Sequence, residues 1–303
     1  MRAGALLVAA WALVGASSLP AFSEDDFDLS PEQAGRIHVQ KDAKAIAAIP
    51  ADFKFVTPGK LTVAVAPGGP PLAAYATDAK TVVGADADYA SAIAESLGLE
   101  LESVPVAWID WPLGLASGKY DAVISNVGVT EERKEKFDFS TYRQGLHGFF
   151  VKADSGVTSI KEPKDEAGLR IIVGAGTNQE RILLGWNEEN KKAGREPALP
   201  VYLTDDASGN LYIQSGRADV FFGPQSVSAY KAALTGKTRV VGLGPKRAYV
   251  ATTTKKGNGL VYALQAALEG AITRGEYQRV LARWGEEGEA VTQSDVNPPG
   301  ITY

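Results

Sequence analysis

The chain has 303 residues, no cysteine, one methionine (Met1) and a formal net charge of −5. It is long enough for two modest domains, and its sign excludes nucleic acid or an anionic membrane as the main partner. Without cysteine, and with His38 and His147 far apart and lacking ligand spacing, no zinc or other metal site is expected. No P-loop, G-x-S-x-G or Ser/His/Asp pattern calls for a cofactor or a nucleophile.

Residues 1–23 read as a secretory signal. Arg2 supplies the positive start, positions 3–14 the apolar core, and Ala21-Phe22-Ser23 a small-x-small cleavage site near Ser23. That core is too short for a good membrane anchor, and no later stretch could span a bilayer. No cysteine follows to carry a lipid, so a free periplasmic protein of about 280 residues is expected. This mature chain would hold no sulfur, which fits chance, oxidation resistance, or sulfur economy in a receptor for a sulfur source.

Residues 24–57 form an N-terminal extension, acidic and then mixed, punctuated by Pro50 and Pro58, and are expected to lie on the surface. A short helix is possible at 41–49. The first convincing strand is 61–65, ended by Pro67-Gly-Gly-Pro-Pro71. A helix at 88–97 closed by Gly98, a strand at 101–106, a helix at 111–117 and a strand at 122–125 follow. After the apolar run at 148–151, strands are predicted at 169–173, 201–203 and 220–222. Helices start near Thr177 and span 208–215 and 226–234. Strands near Val240 and Val250, then helices at 259–273 and 276–284, complete the chain. Such alternation predicts α/β architecture with mostly parallel sheets and helices on both faces. Ser117-Gly-Lys-Tyr-Asp and Ser215-Gly-Arg-Ala-Asp repeat one S-G-[KR]-x-D pattern, which supports two lobes.

From Gly118 to Arg133 a helix end, a buried strand, a glycine-containing turn and a new helix start bring an arginine beside free backbone N–H groups. Amides and a guanidinium together suit a carboxylate. Taken alone, the segment is more simply a capped helix start, with Thr130 as N-cap and Glu131 and Glu132 in the first turn. The wider pattern is more specific. Trp108, Leu115-Ala-Ser-Gly-Lys-Tyr-Asp-Ala122, Ser125-Asn126, Thr130-Glu-Glu-Arg133 and Asp138-Phe-Ser-Thr-Tyr142 resemble the periplasmic solute-binding proteins of polar amino acid ABC importers, the family 3 type, from about Lys60 to Trp284.

This resemblance implies a two-lobe Venus-flytrap periplasmic binding protein fold, each lobe a mostly parallel sheet flanked by helices. Lobe 1 would comprise 58–147 and 246–303 and lobe 2 148–245, with hinge strands near 145–150 and 244–250. The solute would sit at the carboxyl ends of the strands, between the lobes. Arg133 matches the family's carboxylate-binding arginine, Asn126 and Gly128 its turn positions, and Thr177 and Asn178 its second-lobe loop. Thr177 with Glu180 also fits a capping box, and the two roles are compatible. Trp108 matches a cleft position, and with Tyr75 could form an aromatic wall; Trp111 fits core packing better.

At the amino end the sequence departs from the family. Ala66, Gly69 and Pro224 stand where relatives place ammonium-binding aspartates and an aromatic. A buried ammonium without a partner costs several kcal/mol. Three readings stand open: a solute without a cationic amine, replacement by Asp110, Tyr75 or Gln225, or a slipped alignment. The function implied is a monomeric, non-enzymatic binding component that takes a small anionic or zwitterionic, amino-acid-like solute to an inner-membrane ABC permease. The alternatives are a periplasmic enzyme of the same fold, like cyclohexadienyl dehydratase, or a receptor for a sulfur-containing solute such as a sulfonate.

Overall fold

A computed structural model of the protein describes residues 27–203 and 206–302. The predicted signal, 1–23, lies outside the described residues. The first half of the chain runs α1 (Ala43–Ala47), β1 (Lys60–Val65), a hairpin of β2 (Ala74–Tyr75) and β3 (Val82–Val83), α2 (Ala85–Ser96), β4 (Glu100–Pro105), α3 (Trp111–Ala116), β5 (Ala122–Val123), α4 (Glu131–Lys134) and β6 (Phe137–Gly145). The second half runs β7 (His147–Lys152), β8 (Arg170–Ile172), α5 (Asn178–Lys192), β9 (Leu199–Val201), α6 (Asp206–Gln214), β10 (Val220–Pro224), α7 (Gln225–Thr235), β11 (Thr238–Leu243), β12 (Ala248–Lys255), α8 (Leu260–Arg274) and α9 (Glu276–Arg283).

Two five-stranded sheets result, ordered β4-β1-β5-β12-β6 and β11-β7-β10-β8-β9. In each, one strand opposes the other four: β12 in the first sheet and β7 in the second. The apolar run of β1 is buried from Leu61 to Val65, as a strand flanked by parallel neighbours requires. The chain crosses between the sheets twice, from β6 to β7 through Leu146 and from β11 to β12 through residues 244–247. Each sheet has its own core. The first gathers Leu61, Val63, Ile93, Leu264, Tyr277 and Trp284; the second stacks Phe149 on Phe222, ring centroids 3.9 Å apart.

The helix predicted at 88–97 starts earlier, at Ala85, because Gly84 (φ +128°) turns the chain against the Leu72 carbonyl, where a Cβ would come within 2.3 Å. The Asp86 and Asp88 that this adds or retains are both buried. Strand β6 has no apolar alternation to predict it. Its polar residues are buried against specific partners instead: Ser140 Oγ lies 2.5 Å from Thr252 Oγ1, and Thr141 Oγ1 accepts the Asp295 N–H at 2.8 Å.

The extension is more than a surface segment. Arg36 Nε donates to Asp88 at 2.8 Å, the Val39 N–H to Glu95 at 2.8 Å, and Arg274 Nη1 to Asp42 at 2.9 Å. Phe27 is buried, its ring 5.3 Å from Trp284, which follows α9, and 5.1 Å from Tyr230 on α7. The reason is composition: one aromatic, two charged side chains and one backbone N–H find complements that the local sequence does not reveal.

Two stability predictions follow from these placements. Phe27→Ala should lower unfolding free energy by about 3 kcal/mol in denaturant titration; a change within about 0.5 kcal/mol would mean the ring adds nothing to the core. Glu166 is fully buried, with both carboxyl oxygens unpartnered among the described residues, and burial pushes its carboxyl up to about 8. The folded state therefore keeps a proton that the unfolded chain releases near 4.5, and stability falls as pH rises between those values. Glu166→Gln should accordingly stabilise by about 1 kcal/mol or more at pH 8 and by less at pH 5; equal gains at both would refute this.

Candidate functional site

A cavity of about 610 Å³ opens where the parallel strands of both sheets end. Its walls are the segments that leave β1 (Ala66 to Gly69), β4 (Val106 to Ile109), β5 (Ser125, Asn126), β8 (Val173, Gly174) and β10 (Pro224, Ser226), together with the crossing at Leu146. Strand carboxyl ends converge here because parallel strands place all their exits on one edge.

Arg133 faces this cavity. Thr130 Oγ1 caps α4 by accepting the Arg133 N–H at 3.1 Å. The guanidinium donates Nη1 to the Gly128 carbonyl at 2.7 Å and Nη2 to the Gly176 carbonyl, on the far side of the cavity, at 2.8 Å. Its carbon sits 5.6 Å from the Trp108 ring and 5.7 Å from the Trp111 ring. Both indoles thus lie within cation–π range of the guanidinium. Trp111 is nonetheless buried at 2% exposure, in keeping with core packing, while Trp108 lines the cavity.

The cavity is shut from several sides. Glu132 pairs with Arg181 of α5, and Lys231 of α7 reaches the Gly68 carbonyl at 3.4 Å. Asn178, buried at the start of α5, lies so close to Gly128 that a Cβ there would meet its amide nitrogen at 2.2 Å. Gly128 is therefore a position of close approach.

Six of the eight predicted site residues line the cavity: Trp108, Asn126, Gly128, Arg133, Thr177 and Asn178. Tyr75 and Gln225 do not. Tyr75 is half exposed on β2, a short hairpin strand turned to solvent. Gln225 opens α7 and donates its backbone N–H to the Leu146 carbonyl at 3.0 Å; its neighbours Pro224 and Ser226 form the wall. Asp110 is exposed and also lies outside the lining. Ala66, Gly69 and Pro224, the substituted positions, all belong to it. Thr177 Oγ1 accepts the Glu180 N–H at 3.1 Å and donates to the Gly174 carbonyl at 2.7 Å. The return bond from Glu180 goes to the Gly176 N–H at 2.6 Å, one residue before the cap, so the capping box is offset.

The floor holds a polar cluster that sequence reasoning missed. Arg143, 1% exposed, donates Nη1 to Glu286 at 2.5 Å and to Glu289, and Nη2 to Asn126 Oδ1 at 2.8 Å. Glu289 also accepts the Leu146 N–H at 3.2 Å. Tyr142 OH donates to Asp86 at 2.7 Å and accepts the Asn126 N–H at 3.1 Å. Burial pushes Asp86 up to about 6, and it raises Glu286 as well, while the carboxylates around Arg143 hold its guanidinium charged. His147 also lines the cavity. Its Nδ1 lies 3.0 Å from Gln179 Nε2, its Nε2 is unpartnered among the described residues, and burial lowers it to about 4, leaving a neutral ring. Lys231 is the last addition, one helical turn beyond Val227 on the α7 face that meets the cavity. Spacing from Pro224 and Val227 could have flagged it; nothing local marks Arg143 or Asp86.

The chain is similar to known proteins. The family model of the bacterial extracellular solute-binding proteins, family 3, matches residues 61–287. The chain is 28% identical over 230 residues to the L-cystine-binding protein of Escherichia coli (strain K12), covering 75% of this chain and 82% of that one. It is 30% identical over 246 residues to the arginine-binding protein of Corynebacterium glutamicum, covering 79% and 78%. A solved structure of an ancestral arginine-binding protein bound to arginine superposes with a TM-score of 0.67 at 28% identity, covering 75% of this chain and 98% of that one. Matched across three quarters of its length, with strand exits and a cavity-facing arginine where the motif puts them, the chain belongs to the family 3 bacterial extracellular solute-binding proteins, α/β proteins of two-lobe Venus-flytrap fold.

Proposed function

We propose that the protein is the periplasmic binding component of an ABC importer, and that it shuts two lobes on a small carboxylate-bearing solute and delivers it to an inner-membrane permease. The observation that carries this reading is the Arg133 guanidinium, packed against two indoles and bonded to both walls of the cavity. Its acceptors at Gly128 and Gly176 are neutral carbonyls, and a carboxylate is the stronger acceptor for a fork of N–H donors. The start of α5, where Thr177, Asn178 and Gln179 line the cavity, adds a second environment that favours negative charge.

In this reading lobe 1 spans 58–147 and 246–303, lobe 2 spans 148–245, and the two crossings between the sheets act as the hinge. Contacts of one solute to both walls favour the shut state, which the permease recognises. The signal would be cleaved near Ser23, and the protein works as a monomer.

Binding without turnover is the simpler chemistry here. Glu180 is committed to the Gly176 N–H and the Tyr202 hydroxyl, Asp110 lies outside the cavity lining, and Asp86, which lines it, is engaged by the Tyr142 hydroxyl. Turnover of prephenate or arogenate by the purified protein would replace this reading with an enzymatic one.

Solute released from purified wild-type protein, identified by mass spectrometry, should bind Arg133→Ala at least about tenfold more weakly, or about 1.4 kcal/mol. Calorimetry showing unchanged affinity would remove Arg133 from the site.

A further inference from the structure

Resting on the reading that a carboxylate meets Arg133, we propose that the solute is an organic anion with no cationic amine, and that Lys231 receives its second acidic or oxygen-bearing group. The charge arrangement of the cavity carries this. Among the described residues two carboxyl groups line it, Asp86 and Glu289, and both are already engaged: Asp86 by the Tyr142 hydroxyl, Glu289 by Arg143 and the Leu146 N–H. Asp86 is 1% exposed and Glu289 6%, so an entering ammonium would have to break a buried network to reach either. Burial also favours the neutral form of Asp86, which weakens it as a partner for a cation.

The opposite sign is available. Lys231 comes from α7 to the loop after β1, where its Nζ lies 3.4 Å from the Gly68 carbonyl. Among the described residues it makes no ion pair. A Cβ at Gly69 would lie 3.3 Å from Lys231 Cε and 3.2 Å from Val227 Cγ1, so the lysine stem packs against the glycine that begins this loop's return. A cation held in a closing cleft against one neutral carbonyl gains from an anionic partner. An amine placed there would instead meet a like charge, and repulsion against the wrong ligand is how a site of this kind selects. The remaining wall, with Leu72, Val106, Ile109, Leu203 and Val227, is apolar and suits a short carbon skeleton.

The test uses matched pairs that share a skeleton and differ at the amine: glutamate and 2-oxoglutarate, leucine and 4-methyl-2-oxopentanoate, taurine and isethionate. Calorimetry on the purified full-length protein should show the amine-free member of at least one pair binding ten times or more tighter than its amine. Lys231→Gln, which keeps the stem, should reduce that affinity at least fivefold and leave the melting temperature without solute unchanged. An amine that binds more tightly than its partner, or a Lys231→Gln variant with undiminished affinity, overturns the proposal and leaves the carboxylate reading standing. No binding by either member of any pair overturns both.

Discussion

One buried guanidinium fixes the geometry on which everything else rests. Arg143 sits at the end of β6, just before the chain leaves the first sheet for the second, and it draws in Glu286 and Glu289 from beyond α9 and Asn126 from the turn after β5. Three distant segments are therefore tied to one point under the cavity. Breaking such a cluster by removing one charge costs more than the cluster is worth as a whole, because the remaining charges are left in a medium that cannot solvate them.

Arg133 illustrates a different use of the same side chain. It stands at the cavity rather than under it, it donates to the Gly128 and Gly176 carbonyls, and two indole rings pack against it. Rigid placement of this kind reduces what a ligand must spend on ordering the site.

The elements most legible in the sequence were those with local causes. The apolar run of β1, the Thr130 and Thr177 caps and the S-G-[KR]-x-D corners each announce themselves within a few residues, and the structure places them within a residue or two of expectation. Strand β6 was not legible as a strand, since its buried serine, threonine and arginine each have partners more than a hundred residues away. The same holds for the site. Motif positions such as Arg133 and Asn126 could be named in advance, but Asp86, Arg143, Glu289 and Lys231 reach the cavity only through tertiary folding. Tyr75 shows the converse error: an aromatic close in sequence to the cavity loop lies on a hairpin that turns away from it.

The strap ahead of β1 bears on the resting population of the molecule. Phe27 touches Trp284 beside the first sheet and Tyr230 beside the second, so drawing α7 away from α9 would wet an aromatic face. At roughly 25 cal/mol per Å², even a modest exposed area adds on the order of 1 kcal/mol against opening. If the halves part as proposed, this strap, bonded to the first half through Arg36, Val39 and Asp42, would tilt the balance between gaping and shut forms before any solute arrives, from a place no solute touches.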